Sequence, residues 1–305
     1  MSDEGFASLA GPFASPIGGL TWDGECVLAS LPGEDRVVAI ALDGSTKELR
    51  RHSAGTTRLA MGAGGRVFAC QPRARRVACL EPDGRATVPA QWIDGRLPNR
   101  PFDLDVDARG RVWFSDRQRR GASSPLFPAR PGSSVLRLES SESGSWEQIC
   151  AIDQVPGPGA LAVAPDDSAL YLVRGHDVEP GVSWELLRYP ISGPEAGPPG
   201  VLARGGQGVF EQVRSVSDLA TLPDGDVALL GASSGGSAAI WRMTPEGAIT
   251  DRVELPPEST CLALGSPGEV FVGGVGGMVF RQTRSALWAA TEGTHPRAAE
   301  NPERC

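Results

Sequence analysis

The stretch GGLTWDGECVLASLPGEDRVVAIALDG (Gly18–Gly44) contains three short apolar runs broken by Gly and Asp turns, and TRLAMGAGGRVFACQPRARRVACLEPDG (Thr57–Gly84) repeats its plan. The unit recurs as FDLDVDARGRVWFSD (Phe102–Asp116), GALAVAPDDSALYLV (Gly159–Val173), SDLATLPDGDVALLG (Ser217–Gly231) and TCLALGSPGEVFVGG (Thr260–Gly274). Anchored on Leu20, Leu59, Leu104, Leu161, Leu219 and Leu262, the repeats are spaced by 39, 45, 57, 58 and 43 residues. Multi-strand repeats of this period are the signature of propeller blades. The expectation is an all-β, six-bladed β-propeller with four-stranded antiparallel blades over residues 1–286. The segment Phe6–Ser15 is expected to complete the sixth blade, because an unpaired edge strand invites aggregation. Residues 287–305, with Pro296 and Pro302, read as a loose C-terminal tail.

Composition agrees with this reading. The 39 Gly and 26 Pro of the 305 residues punctuate the apolar runs instead of clustering in low-complexity tracts. A net charge of −8 argues against nucleic acid or an anionic membrane as partner. No apolar run is long enough to span a bilayer, and the opening MSDEGFAS is acidic where a secretory signal is basic. A cytoplasmic location is expected. Six scattered cysteines without a CxxC pair read as reduced core thiols. Lys47 is the single lysine and His52, His176 and His295 the only histidines, which disfavours Schiff-base and Ser-His-Asp chemistry. Abundant Arg, Ala, Gly and Pro beside one lysine fit GC-rich bacterial coding and a role in specialised metabolism.

The two long repeat spacings imply insertions, RQRRGASSPLFPARPGSS (Arg117–Ser134) and RGHDVEPGVSW (Arg174–Trp184). They are read as lids over the channel mouth, with surface decoration as the alternative.

RLPNRPFDLDVDARGRVWFSD (Arg96–Asp116) resembles RLNSPNDLVVDSDGRVWFTD of the senescence-marker-protein/gluconolactonase/luciferin-regenerating-enzyme family, which is regucalcin-like. VPGPGALAVAPDDSALYLV (Val155–Val173) is similar to that family's RPNGLAFSPDESVLYVAD, and STCLALG (Ser259–Gly265) to its closing blade. The resemblance implies the propeller and a divalent metal on its axis, held by a Glu, two Asn and an Asp. Those cage positions fall here on Gly18, Phe102, Gly159 and Ser217, and a further Asn of the second blade on Thr57. Two glycines, a phenylalanine and a serine do not make the oxygen cage a hard cation needs. The expectation is therefore a divergent member with no metal and no cofactor.

The candidate catalytic groups are Asp103, which matches the Asp of the family's PND pattern, Asp218, and His176 in the fourth-blade insertion. A carboxyl beside the apolar Phe102 gains a raised pKa suited to general acid–base work; the competing reading is a strand-start carboxylate bonded to backbone amides. Phe102, Ser217, Thr57, Arg58, Gln71, Asp116, Thr260 and Cys261 are the candidate substrate-binding residues around the mouth. Two functions follow. One is a metal-independent enzyme that opens, or forms, a lactone-type ring in a small molecule. The other is a non-catalytic propeller that binds a small molecule or a protein.

Overall fold

A computed structural model describes residues 5–118, 128, 130–141, 143–179, 182–193, 196–233 and 235–283. Its 24 strands form six four-stranded antiparallel sheets, the expected six-bladed propeller. The innermost strands are Gly19–Trp22, Arg58–Met61, Pro101–Val106, Pro158–Val163, Val213–Thr221 and Ser259–Leu264, in blades 1 to 6. In blade 6 the outer strand is Ala7–Ala10, paired antiparallel with Val279–Gln282, so the two ends of the barrel of blades are joined by hydrogen bonds. The segment 287–305 lies outside the described residues.

Each blade packs against two neighbours, and the apolar residues therefore form six clusters, one at every blade–blade interface. Second strands sit between two such clusters and are buried at every position in Val27–Leu31, Val67–Gln71, Val112–Asp116 and Val270–Gly274. This is why their sequences read as continuous apolar runs, whereas the rim strand Thr46–Arg51 is polar and largely exposed. Alternate residues serve alternate interfaces: Val27, Ala29 and Leu31 face blade 6, while Cys26 and Leu28 face blade 2.

The recurring Asp–Gly turns have a physical cause. In DARGRVW the carboxylate of Asp107 accepts from the backbone amides of Arg109 and Arg111, from Arg111 Nε at 2.6 Å, and from Trp113 Nε1 at 2.8 Å. One side chain thus closes the turn and locks it to the next strand. The thiols of Cys70, Cys79, Cys150 and Cys261 are free, as expected, but Cys26 is disulfide-bonded.

The insertion at Arg174–Trp184 differs from the expected loop. The second and third strands of blade 4, Ala169–Glu179 and Val182–Pro190, simply continue, pairing Gly175 with Trp184 and Glu179 with Val182. The register shifts between these two pairs, so the insertion lengthens the hairpin with an irregularity in it. Most of the other insertion, residues 119–127 and 129, lies outside the described residues. No helix among the described residues is long and apolar enough to cross a membrane.

Candidate active site on the propeller axis

The inner strands of blades 3 to 6 each begin with a β-bulge, at Pro101/Leu104, Pro158/Leu161, Val216/Asp218 and Ser259/Cys261. A bulge breaks the strict alternation of a strand and re-aims a side chain. Asp103 and Asp218 lie beside or within these bulges and are buried.

Between them lies Arg58, from the second residue of its unit in blade 2. Its Nη1 is 3.1 Å from Asp218 Oδ2 and its Nε 3.6 Å from Asp103 Oδ1, with Nη2 donating to the carbonyl of Ser217 at 2.5 Å. All three charged side chains are about 10% exposed or less. Each carboxylate also reaches across to the next blade. Asp103 accepts from the amides of Leu104 and Leu161, and Asp218 from those of Leu219 and Leu262. Asp105 repeats the device two residues on, accepting from Val106 and Val163. The bonded-carboxylate reading of Asp103 is therefore correct as geometry, and it coexists with a perturbed acidity.

Burial pushes the Asp103 carboxyl up to about 7, against the pull of Arg58, with the negative charge of Asp218 adding to the rise. Asp218 is raised by the same loss of solvent. Asp105 is raised to about 6 by burial, against its two amide bonds. Arg58 stays charged, because the two aspartates outweigh its own desolvation.

This ionic layer is one wall of a cavity of about 250 Å³ to which all six innermost strands contribute. Leu20, Leu59, Leu161, Leu219 and Leu262 supply apolar surface, and Thr21, Trp22, Met61, Thr221 and Leu264 line it where the inner strands end. Trp22 is stacked on Phe271, with centroids 5.3 Å apart. The cavity thus extends from the ionic layer toward the ends of the inner strands, the face opposite to the expected mouth at their starts.

Of the residues selected from sequence, Arg58, Asp103 and Asp218 come together in this layer, and Ser217 joins through its carbonyl. Thr57, Phe102, Ser217 and Thr260 do not line the cavity. Phe102 instead carries the guanidinium of Arg117 3.3 Å above its ring centroid. Gln71 is held away by Ser53 O and Arg76 Nε. Asp116 accepts from the amides of Asn99 and Arg100 and is a turn lock. Cys261 is a core thiol whose Sγ donates to Gly273 O, and burial pushes it up to about 12. The side chain of His176 lies outside the described residues. Asp105 was missed, although the alternation in FDLDV places it on the same face of the strand as Asp103. Among the described residues no group of three or more His, Cys, Asp or Glu is arranged to hold a metal ion.

A family model described as "SMP-30/Gluconolactonase/LRE-like region" matches residues 33–272. A search of curated proteins finds no match. Among solved structures, a gluconolactonase from Xanthomonas campestris superposes with a TM-score of 0.74 at 21% identity, covering 91% of this chain and 88% of that one. A calcium-binding regucalcin from Agrobacterium tumefaciens gives 0.65 at 16% identity, covering 90% and 95%. Luciferin-regenerating enzyme gives 0.66 at 15%, covering 92% and 95%. At these identities the structural likeness speaks for the fold.

Proposed function

The chain belongs to the SMP-30/gluconolactonase/LRE-like family, and on that premise we propose that it opens lactone-type rings in small molecules without a divalent metal. The observation that carries the reading is Arg58, held between Asp103 and Asp218 at the wall of the axial cavity. The family's ion does not fit these residues. Its cage positions carry Gly18, Phe102, Gly159 and Ser217, which offer one side-chain oxygen between them. The two nearby carboxylates already answer to Arg58 and to backbone amides. A guanidinium on the axis supplies a positive charge where the ionic layer meets the cavity.

In this mechanism the Asp103 carboxylate takes a proton from a water molecule, whose oxygen attacks the lactone carbonyl carbon. Arg58 faces the developing oxyanion and offsets its charge. The ring C–O bond then breaks, and the proton on Asp103 passes to the departing alkoxide, leaving a hydroxy acid. A base raised to about 7 is partly free at neutral pH, and its driving force for proton transfer is greater than that of an ordinary aspartate. Asp218 keeps Arg58 in place and is a positioning residue. The apolar leucines of the wall accommodate the carbon skeleton.

The test is hydrolysis of a panel of five- and six-membered lactones, followed by acid release, with chelator-treated protein. Turnover that persists with chelator, rises with pH through about 7 and disappears in Asp103→Asn supports the reading. Turnover lost with chelator and restored by calcium refutes metal independence. A second reading, ligand binding without turnover, is favoured by the saturated hydrogen bonding of Asp103 and Asp218. It is established if no lactone is consumed while a small molecule raises the melting temperature of the wild type and not of a cavity-filling Ala220→Trp variant.

A further inference from the structure

We propose that the channel rim where the innermost strands begin carries a carboxylate-binding site centred on Arg117. The site is on the face away from the axial cavity and does not depend on lactone hydrolysis.

Arg117 follows the second strand of blade 3 and reaches the starts of the inner strands of blades 3 and 4. Its Nε donates to the carbonyl of Pro158 at 2.7 Å, and its guanidinium lies flat on the Phe102 ring. That arrangement orients the fork and leaves the two terminal nitrogens without a protein acceptor among the described residues. No carboxylate of the described residues lies within 4.0 Å of Arg117, unlike Arg58, Arg111, Arg174, Arg204 and Arg242, each of which has at least one. The Nη2 end stands 3.3 Å from where a Cβ at position 159 would be, so Gly159 keeps that flank open.

Burial lowers the Arg117 guanidinium to about 10, and Arg100 and Arg58 lower it further, with Asp103 as the opposing influence. No carboxylate is paired with the Arg117 guanidinium among the described residues, and Asp103 is the acidic influence on it. The same rim holds two further unanswered groups: Thr57 Oγ1 and Ser217 Oγ are buried without a hydrogen-bond partner among the described residues. A planar monoanion that accepts two parallel N–H bonds matches a half-buried, ring-stacked guanidinium better than a spherical or doubly charged ion does. The ligand class is a small molecule bearing one carboxylate.

The probe is sodium acetate, titrated against the full chain at fixed pH and ionic strength, with sodium chloride and inorganic phosphate as controls. The melting temperature is expected to rise with acetate and to stay level with chloride. Arg117→Gln is expected to lose the acetate response. Arg117→Lys keeps the charge without the fork, and its response should fall at least several-fold. Absence of an acetate-specific rise in the wild type overturns the proposal, as does an undiminished rise in Arg117→Gln. A larger rise with phosphate than with acetate overturns the carboxylate assignment. Since no turnover is measured, these outcomes are independent of the lactone assay.

Discussion

Replacing Arg58 by methionine removes the one cation from the ionic layer while keeping most of the side chain's volume. Its contacts with Asp218 at 3.1 Å and Asp103 at 3.6 Å correspond to about 5 kcal/mol of attraction each at an effective dielectric of roughly 20. The desolvation of three buried ions offsets most of that gain. Truncating one partner leaves the others buried and unpaired, and such truncations cost about 3–5 kcal/mol. At roughly 2–4 °C per kcal/mol for a large domain, Arg58→Met should lower the melting temperature by about 6–20 °C. The deficit should also depend on pH. Arg58 lowers the pKa of both aspartates, so its removal raises them further above the unfolded value. The folded variant then holds protons that the unfolded chain releases, and its stability falls as pH rises through that window. The deficit against wild type is thus larger at pH 8 than at pH 5. Denaturant titrations at the two pH values measure it, and Arg58→Met/Asp218→Asn should recover part of the loss by removing an unpaired charge. A deficit below about 1 kcal/mol, or one that grows toward acid pH, would refute the view that Arg58 balances these carboxylates.

Further expectations concern other parts of the molecule. Asp105, raised to about 6 by burial, costs stability as pH climbs from about 4 to 6, where the unfolded carboxyl ionises and the folded one resists. Asp105→Asn should therefore flatten the pH profile of unfolding by on the order of 1–3 kcal/mol across that range, and an unchanged profile would count against a perturbed Asp105. Gly157 has φ +51° and a Cβ there would sit 2.0 Å from Gly175 O, so Gly157→Ala should cost about 1–3 kcal/mol in denaturant titration. The Asp103→Asn turnover and Arg117 acetate experiments complete the set.

The blades were legible in the sequence because each is built by local rules: a strand period of two, Asp–Gly turns closed by their own side chains, and apolar second strands buried on both faces. DARGRVW shows this well, since one aspartate, Asp107, organises the turn within four residues of itself and the strand within six. Asp103 and Asp218 were legible as inward carboxylates from their place at the start of a repeat. Arg58 was read as a substrate-binding candidate around the mouth, but its partners come from 45 and 160 residues further along the chain, and no local pattern announces such a pairing. Gln71 was misjudged for a different reason: Ser53 and Arg76, only 18 and 5 residues away, claim its side chain.

By itself, then, the order of residues determined the number of blades and their turns, which follow from interactions within one repeat, and put an aspartate at the start of two of the repeats. Closure of the ring decided the rest. Bringing six inner strands to one axis set Arg58 between Asp103 and Asp218, laid Arg117 over Phe102, and put the cavity where the inner strands end. Charges buried together on an axis must be balanced there, and which charges meet depends on how the whole ring closes.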